Sequence, residues 1–354
     1  MKKLSILFFA FAILTSVSTS KAEDTFHIYG FADTYFATDN YYVPQGSEYS
    51  YMRPIAMNNS KESTFGLNIA QLCIHGNYGD ARGHVVLHFG EMASMASSAG
   101  GNSTIQQANV GFRIFDNFWV DAGLFTTHIG DEGFSPAHNW LSSYSIVTMN
   151  QPFFQSGVKF GYEGEKFTGQ IHILNRNGDF EENNWNKTYG VYLAYKILEN
   201  FTLSYGNLLG NENASAPKNP YFVMLHNVCF DWEAMENFAV KGEVDFGSQQ
   251  FKDADAIDSD LGIAAQARYK FNDKCSATLR FAMLSMTEDD GSESTTNSMN
   301  QITLGAQYKP TKNTYFKLEG SMFSSDNENA FQHVDNETSG SMMELILNFG
   351  VFIK

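Results

Sequence analysis

The side chains that could act as nucleophiles, general bases or metal ligands are scattered along the sequence. Nine histidines and three cysteines are present, but their surroundings match neither Gly-x-Ser-x-Gly nor His-Glu-x-x-His. Cys73, Cys229 and Cys275 are far apart and odd in number, which argues against a disulfide framework or a Cys-x-x-Cys metal site. His84 and His88 share a strand face, but two imidazoles without a third ligand make a poor zinc site. We therefore expect no catalytic residues, no metal site and no cofactor.

Charged side chains alternate regularly with apolar ones along much of the chain. Lys241 and Glu243, for example, alternate with Val240 and Val244. Successive side chains of a β-strand point to opposite faces, so such a strand has one charged and one apolar face. The same period of two recurs in every stretch inspected, and no helical period persists. The pattern predicts strands with lipid on one side and water on the other.

Two kinds of connection alternate strictly between these segments. The short ones have the residue types of tight hairpins and lie at 77–80, 116–117, 163–166, 199–200, 272–273 and 310–313. The long polar ones lie at 38–61, 92–103, 131–151, 177–187, 209–219, 248–259, 287–299 and 325–340. Short periplasmic turns and long extracellular loops are typical of outer-membrane barrels. The count predicts an all-β fold, a transmembrane antiparallel up-and-down barrel of about sixteen strands that encloses an aqueous channel.

The N-terminus has the composition of a secretory signal peptide. Two lysines precede an apolar run at residues 4–17, and Ala22 follows as a small residue at the cleavage position. The run is too short to span a bilayer as a helix. We expect a signal peptide at 1–22 and a single β-barrel domain at 23–354.

The composition excludes several classes of protein. The aromatic content is 15%, and the mean hydropathy of −0.28 is too low for a bundle of membrane helices. Without the three lysines of the signal peptide, 20 basic residues remain against 39 acidic ones, a net charge near −19. Such an acidic chain is a poor partner for nucleic acid, whose binding depends on phosphate contacts by Lys and Arg.

Residues 105–162 resemble the OmpL-like β-barrel porins, best known from Bacteroidetes. The segment 120–132, VDAGLFTTHIGDE, fits the pattern Gly-x-Phe-x-Thr-x-x-Gly-x-Glu that ends a strand in that family. An Asn and Tyr-Ser segment at 139–145 and a Pro-aromatic strand start at 151–157 follow in the same order. The resemblance implies an outer-membrane porin without catalytic residues. It does not supply a substrate.

Charges on the polar faces of the strands should point into the barrel. A charged side chain on the lipid face costs about 2–4 kcal/mol near the midplane of the bilayer. Opposed charges in a pore can focus ions or solutes, although each could instead be a satisfied lumen residue without a selective role. The pore-lining candidates are Arg82, Arg113, Asp121, Lys159, Lys241, Glu243, Arg268, Arg280, Lys317 and Glu319.

The connection 131–151 is the most distinctive one. Long loops in compact folds are often functional, and we expect this one to fold inward and narrow the pore. Asp131 and Glu132 would then lie near the constriction, with Trp140 and Tyr144 in the same loop. The alternative is an ordinary outer loop.

Together these features predict an outer-membrane porin for passive diffusion of small hydrophilic solutes or ions. A non-conducting barrel that binds surfaces through acidic loops at 253–260 and 288–293 is the second hypothesis, and an outer-membrane hydrolase is the third. An occluded lumen would favour the second hypothesis and hydrolase activity the third. The expected partners are outer-membrane lipid, lipopolysaccharide and small solutes, but no nucleic acid. Analogy with porins suggests a homotrimer.

Overall fold

The structure, a computed structural model, describes residues 24–41, 53, 55, 57–96, 104–176, 186–211, 222–251, 256–289, 292–332 and 337–353. The predicted signal peptide at 1–22 lies outside this range. Within it, sixteen antiparallel strands form one closed barrel, as predicted. The barrel strands are β1 (Thr25–Asp39), β2 (Thr64–Tyr78), β3 (Ala81–Phe89), β4 (Ile105–Phe115), β5 (Phe118–Thr126), β6 (Phe154–Glu163), β7 (Phe167–Leu174), β8 (Thr188–Leu198), β9 (Phe201–Asn211), β10 (Phe222–Met235), β11 (Phe238–Phe251), β12 (Ala256–Lys270), β13 (Cys275–Asp289), β14 (Ser294–Tyr308), β15 (Thr314–Ser325) and β18 (Ser341–Ile353).

Three smaller features accompany the barrel. Two short helices, α1 (Glu91–Ala96) and α2 (Ile146–Met149), lie in the connections after β3 and β5. A two-stranded hairpin, β16 (Phe331–Gln332) and β17 (Thr338–Ser339), precedes β18. Among the described residues, no helix is long and apolar enough to cross a bilayer.

Pairing of the first and last strands closes the barrel. β1 and β18 pair continuously from Gly30 opposite Ile353 to Asp39 opposite Glu344. Backbone amides and carbonyls have no water to bond with inside hydrocarbon, so a sheet without edges is the stable arrangement there.

The predicted alternation places apolar side chains outside and polar ones inside. Val110, Leu279 and Leu304 are each more than half exposed on the outer face, whereas Thr303, the neighbour of Leu304 in sequence, is fully buried. Exposed aromatic residues gather near the ends of the strands at the short turns, as in the interfacial girdle of outer-membrane barrels. They include Tyr162, Phe167, Tyr195, Trp232, Tyr269, Tyr308 and Phe316.

Two predicted loops are shorter than expected. Most of 248–259 and 287–299 is strand: Gln249 pairs with Asp258, and Thr287 pairs with Thr296. These stretches are polar because both of their faces meet water, so they lack the alternation of apolar and polar side chains that marks the membrane-embedded part. Backbone pairing continues there without that pattern. The two connections are therefore short, and the predicted order of short and long connections breaks at these two positions.

The outer face provides a test of the strand register. Leu304 points outward on β14, where it is paired with Leu279 of β13. We expect Leu304→Arg to lower the free energy of unfolding in lipid vesicles by about 2–4 kcal/mol, because the charge would enter hydrocarbon. Ile353→Arg, at the end of β18, is the matched control and should cost roughly 0–1 kcal/mol. Urea titration measures both, and equal losses would contradict the placement of Leu304 in the membrane.

Candidate functional site

The connection between β5 and β6, residues 127–153 and here called the inner loop, runs through the interior of the barrel. His128 Nε2 donates to the Asn207 carbonyl of β9 over 2.9 Å. Ser135 donates to the Gln71 side chain of β2 over 2.9 Å. Residues of β12 to β15 contact the loop as well. A segment that touches strands on opposite sides of the wall must lie inside the lumen.

Two neighbouring carboxylates tie the start of the inner loop to the wall. Glu132 Oε1 lies 3.1 Å from Nη1 of Arg280, and both side chains are almost fully buried. Gln266 donates to the same carboxylate oxygen over 2.8 Å. Asp131 forms a second ion pair, with Lys241, over 2.9 Å. Because a buried ion pair is stable only when its remaining donors and acceptors are satisfied, these contacts hold the loop in one position.

The two carboxylates differ in their pKa. Burial raises the pKa of Asp131 to about 6, although the charge of nearby Lys241 opposes this. Burial also disfavours the charged form of Glu132, but Arg280, Lys241 and hydrogen bonds outweigh it and lower its pKa. The Arg280 anchor therefore persists to lower pH than the Lys241 anchor.

Lys317 holds the middle of the inner loop. Its Nζ donates to the carbonyls of Pro136 and Asn139, each over 2.9 Å, and to that of Leu141 over 3.3 Å. An ammonium group has three hydrogens, and here all three are used by backbone oxygens. The loop thus wraps around a single cation of β15.

Glu319, two residues further along β15, binds the next part of the loop. Its carboxylate accepts hydrogen bonds from the backbone amides of Ser142 and Ser143. The Ser143 hydroxyl donates to it over 2.7 Å, and the Ser143 carbonyl accepts from Arg280 over 2.7 Å. One serine therefore joins two wall residues of opposite charge.

The structure places all ten pore-lining candidates on the inward face of the barrel, but in three different settings. Glu243 accepts a hydrogen bond from the Asp131 backbone amide over 3.1 Å. The guanidinium of Arg268 lies 4.3 Å from the centroid of the Trp140 ring. The candidates in contact with the inner loop are Lys241, Glu243, Arg268, Arg280, Lys317 and Glu319. Arg113 instead pairs with Asp80 at a short turn, over 2.6 Å.

Of the four predicted constriction residues, Tyr144 is the one that lies within an aromatic cluster. Its hydroxyl donates to the Phe134 carbonyl, and its ring centroid lies 5.1 Å from that of Phe153. Asp131, Glu132 and Trp140 contact charged side chains of the wall instead. The inner loop therefore brings all four into the lumen, although against different parts of it.

The remaining three candidates, Arg82, Asp121 and Lys159, line a space that the inner loop leaves open. This space, here called the lumen cavity, has a volume of about 490 Å³ and lies between the loop and the short turns. Arg82 donates to both carboxylate oxygens of Asp121, over 2.7 and 2.6 Å. Gly111 makes room for that pair, because a Cβ there would lie 2.1 Å from an Asp121 oxygen. Lys159 approaches the same carboxylate only to 3.7 Å.

Part of the first long connection also enters the barrel, which the sequence did not reveal. Arg53 is buried and forms ion pairs with Asp39 and Glu344. Asn58 donates to the Ser142 carbonyl of the inner loop. The sequence of 38–61 has no periodic pattern that would predict this position. The one available signal was that Asp39 and Glu344, two inward-facing acids on β1 and β18, would need a cation nearby.

Solved structures share this fold. The loop L8 deletion mutant of OmpT from Vibrio cholerae aligns with a TM-score of 0.63 at 12% identity, covering 94% of this chain and 100% of that one. An anion-selective porin from Comamonas acidovorans aligns with a TM-score of 0.63 at 11% identity, covering 94% and 100%. The channel DcaP of Acinetobacter baumannii gives 0.61 at 12% identity, covering 95% and 99%. At these identities the likeness establishes the barrel architecture alone.

The sequence comparisons identify the family. No curated protein matches the chain. The family described as "Putative beta-barrel porin-2, OmpL-like" matches residues 25–351, almost the whole barrel. This agrees with the expectation from residues 105–162 and with a closed barrel whose outer face is apolar, so the protein is placed in the bacterial outer membrane. The chain belongs to the OmpL-like β-barrel porin family.

Proposed function

We propose that small hydrophilic solutes or ions diffuse passively through this barrel, past the inner loop. The observation that carries the proposal is the combination of a polar lumen with a loop that fills only part of it. The loop covers the inward faces of β11 to β15, whereas the lumen cavity beside β3 to β7 keeps charged side chains in contact with water. The path of a solute therefore follows that side of the barrel, with Arg82, Asp121 and Lys159 along it.

The inner loop acts in this proposal as the constriction. Support comes from its anchors, because Arg280, Lys317 and Glu319 all hold it from the opposite side of the barrel. A loop fixed in this way sets the width of the remaining passage. Asp131 and Glu132 then serve as attachment points rather than as a charged filter in the water path.

We also propose that the protein has no enzymatic activity. A porin needs no reacting groups, and passive diffusion accounts for the polar lumen without them.

We propose in addition that the protein assembles as a homotrimer. One of the similar structures, OmpT of Vibrio cholerae, is described as a trimer form. Chemical cross-linking of the protein in detergent, followed by gel electrophoresis, tests the trimer: bands at three times the mass of the chain support it, and monomer alone contradicts it.

Single-channel recording tests the porin function. We expect the refolded mature protein, residues 23–354, to give discrete ohmic current steps in a planar bilayer. Its folded state is verified beforehand by the shift of its gel band on heating. If the verified barrel gives no current steps, passive diffusion is not its function.

One contact favours the non-conducting alternative. Ser135 of the inner loop donates to Gln71, which in turn donates to Gln106, so hydrogen bonds join the loop to the wall of β2 and β4. If the bilayer stays silent, a barrel sealed at this contact and used for surface binding becomes the better explanation.

A further inference from the structure

We propose that the lumen cavity contains a binding site for a small carboxylate anion, centred on Lys159. The inference rests on the porin function, which it deepens by naming a class of solute. It runs against the overall charge of the chain, since an acidic protein would be expected to attract cations. The argument depends on which charges of the lumen reach water.

The charges of the lumen differ in their exposure. Lys159 and Arg82 keep 21% and 22% of their side-chain surface exposed, whereas Arg280 keeps none. The carboxylate of Asp121, between the two exposed cations, keeps only 3%. Glu163, the second partner of Arg82, is 42% exposed where β6 ends at the short turn, so the cations do not dominate that end of the cavity. Around Lys159, whose only ion-pair partner among the described residues is the buried Asp121, a solute meets the cation more readily than its counter-ion.

Lys159 is also the less completely neutralised of the two cations. Arg82 occupies both oxygens of Asp121 and reaches Glu163 over 2.9 Å as well. That leaves Lys159 with its 3.7 Å contact to a carboxylate that is already engaged. A carboxylate ligand could approach its ammonium group without breaking a short ion pair.

Two histidines add donors with unused hydrogen-bonding capacity. His84 and His172 line the same cavity as Lys159, and His172 is its direct cross-strand partner. Nε2 of His84 and Nδ1 of His172 are buried and have no hydrogen-bond partner among the described residues. Buried polar atoms without a partner are uncommon in native proteins, and water or a solute in the cavity would supply one here.

Each ring can offer its unpartnered nitrogen as a donor. His84 does so in the tautomer with hydrogen on Nε2. His172 Nε2 lies 3.1 Å from the Gln170 side-chain amide, which can present either its oxygen or its nitrogen there. When Gln170 donates, the hydrogen of His172 sits on Nδ1 and is available to a carboxylate.

The surroundings favour an organic anion over a metal ion. Within the described residues, no three His, Cys, Asp or Glu side chains come together in a way that could hold a metal. A cavity of about 490 Å³ falls in the range of roughly 300–1,000 Å³ typical of sites for small organic molecules. Phe125 and Tyr192 also line it, and they provide apolar surface for the remainder of an organic acid.

Fluorine NMR of trifluoroacetate tests the site independently of conduction. We expect saturable binding to the refolded mature protein in detergent. Lys159→Gln should weaken it about tenfold, since hydrogen bonds to charged groups are the strong ones, and Lys159→Arg should retain most of it. Lys312→Gln removes one charge from an exposed turn and is the matched control, which should bind like the wild type.

The outcomes separate the site from the porin function. Absent binding in the wild type, or equal weakening by Lys312→Gln, overturns the carboxylate site even if the channel conducts. If trifluoroacetate binding is lost only in Lys159→Gln, the site is supported even when no channel current is recorded. In that case only the proposal of passive diffusion is wrong. In a conducting channel, the reversal potential in a salt gradient should show anion preference, which Lys159→Gln reduces about twofold. Cation preference in the wild type would contradict the proposal.

Discussion

Deletion of residues 134–148 is expected to raise the single-channel conductance roughly threefold or more, because the conductance follows the cross-section of the narrowest water path. These residues include the carbonyls that surround Lys317 and the two serines bound by Glu319. Once they are removed, the inward faces of β13 to β15 are wetted and become part of the pore. The measurement is the amplitude of the current steps in a planar bilayer.

The deletion leaves the barrel strands intact, so its folding can be checked separately. The heat-dependent shift of the gel band should persist, as in the full-length protein. Lys317 gains water in place of its loop partners, and Arg280 keeps its ion pair with Glu132 while water replaces Ser143. Neither cation is therefore left as an unpaired charge in a dry interior. Unchanged conductance from a folded deletion variant would show that the inner loop is not the constriction.

Replacement of Arg280 should release the inner loop without shortening it. In Arg280→Met, the Glu132 carboxylate loses its ion pair while it remains buried, and an unpaired buried charge costs about 3–5 kcal/mol. The loop avoids that cost by leaving its position so that water reaches Glu132. We expect faster proteolytic cleavage within 127–153 and a current that fluctuates between two levels.

A second substitution and a control make this result specific. Arg280→Met combined with Glu132→Gln removes the stranded charge and should restore most of the protection against proteolysis. Lys274→Met alters an exposed turn and should leave cleavage of the loop unchanged. If Arg280→Met is as resistant as the wild type, or the double variant as sensitive as the single one, the ion pair is not the anchor of the loop.

The barrel itself was predictable because its information is local. In a membrane strand, lipid fixes one face and water the other, so two residues in a row suffice to tell inside from outside. Lys241 and Val244 were assigned to opposite faces in this way, and the structure agrees. The polar ends of β11 to β14 were not predictable. Both faces of these strands meet water above the membrane, so their backbone pairing is not accompanied by an apolar–polar pattern in the sequence.

The arrangement within the lumen was only partly predictable. That Arg280 and Lys317 point inward follows from the alternation, and the length of 131–151 suggested a loop with a role. The partners of these residues depend on the circumference of the barrel and on the path of the loop, neither of which is encoded in neighbouring residues. Glu132 and Arg280 are 148 positions apart, so their pairing is a property of the closed barrel.

That separation has a consequence for the order in which the protein assembles. The Lys317 ammonium group comes 178 positions after the Asn139 carbonyl that it binds. The inner loop is therefore synthesised and exported long before Lys317 and Glu319, and its contacts with β15 form only when that strand joins the sheet. Closing a chain segment of that length has a large entropic cost that the strand ladder has to meet first. We therefore expect the middle of the inner loop to reach its final position only when the last strands complete the barrel.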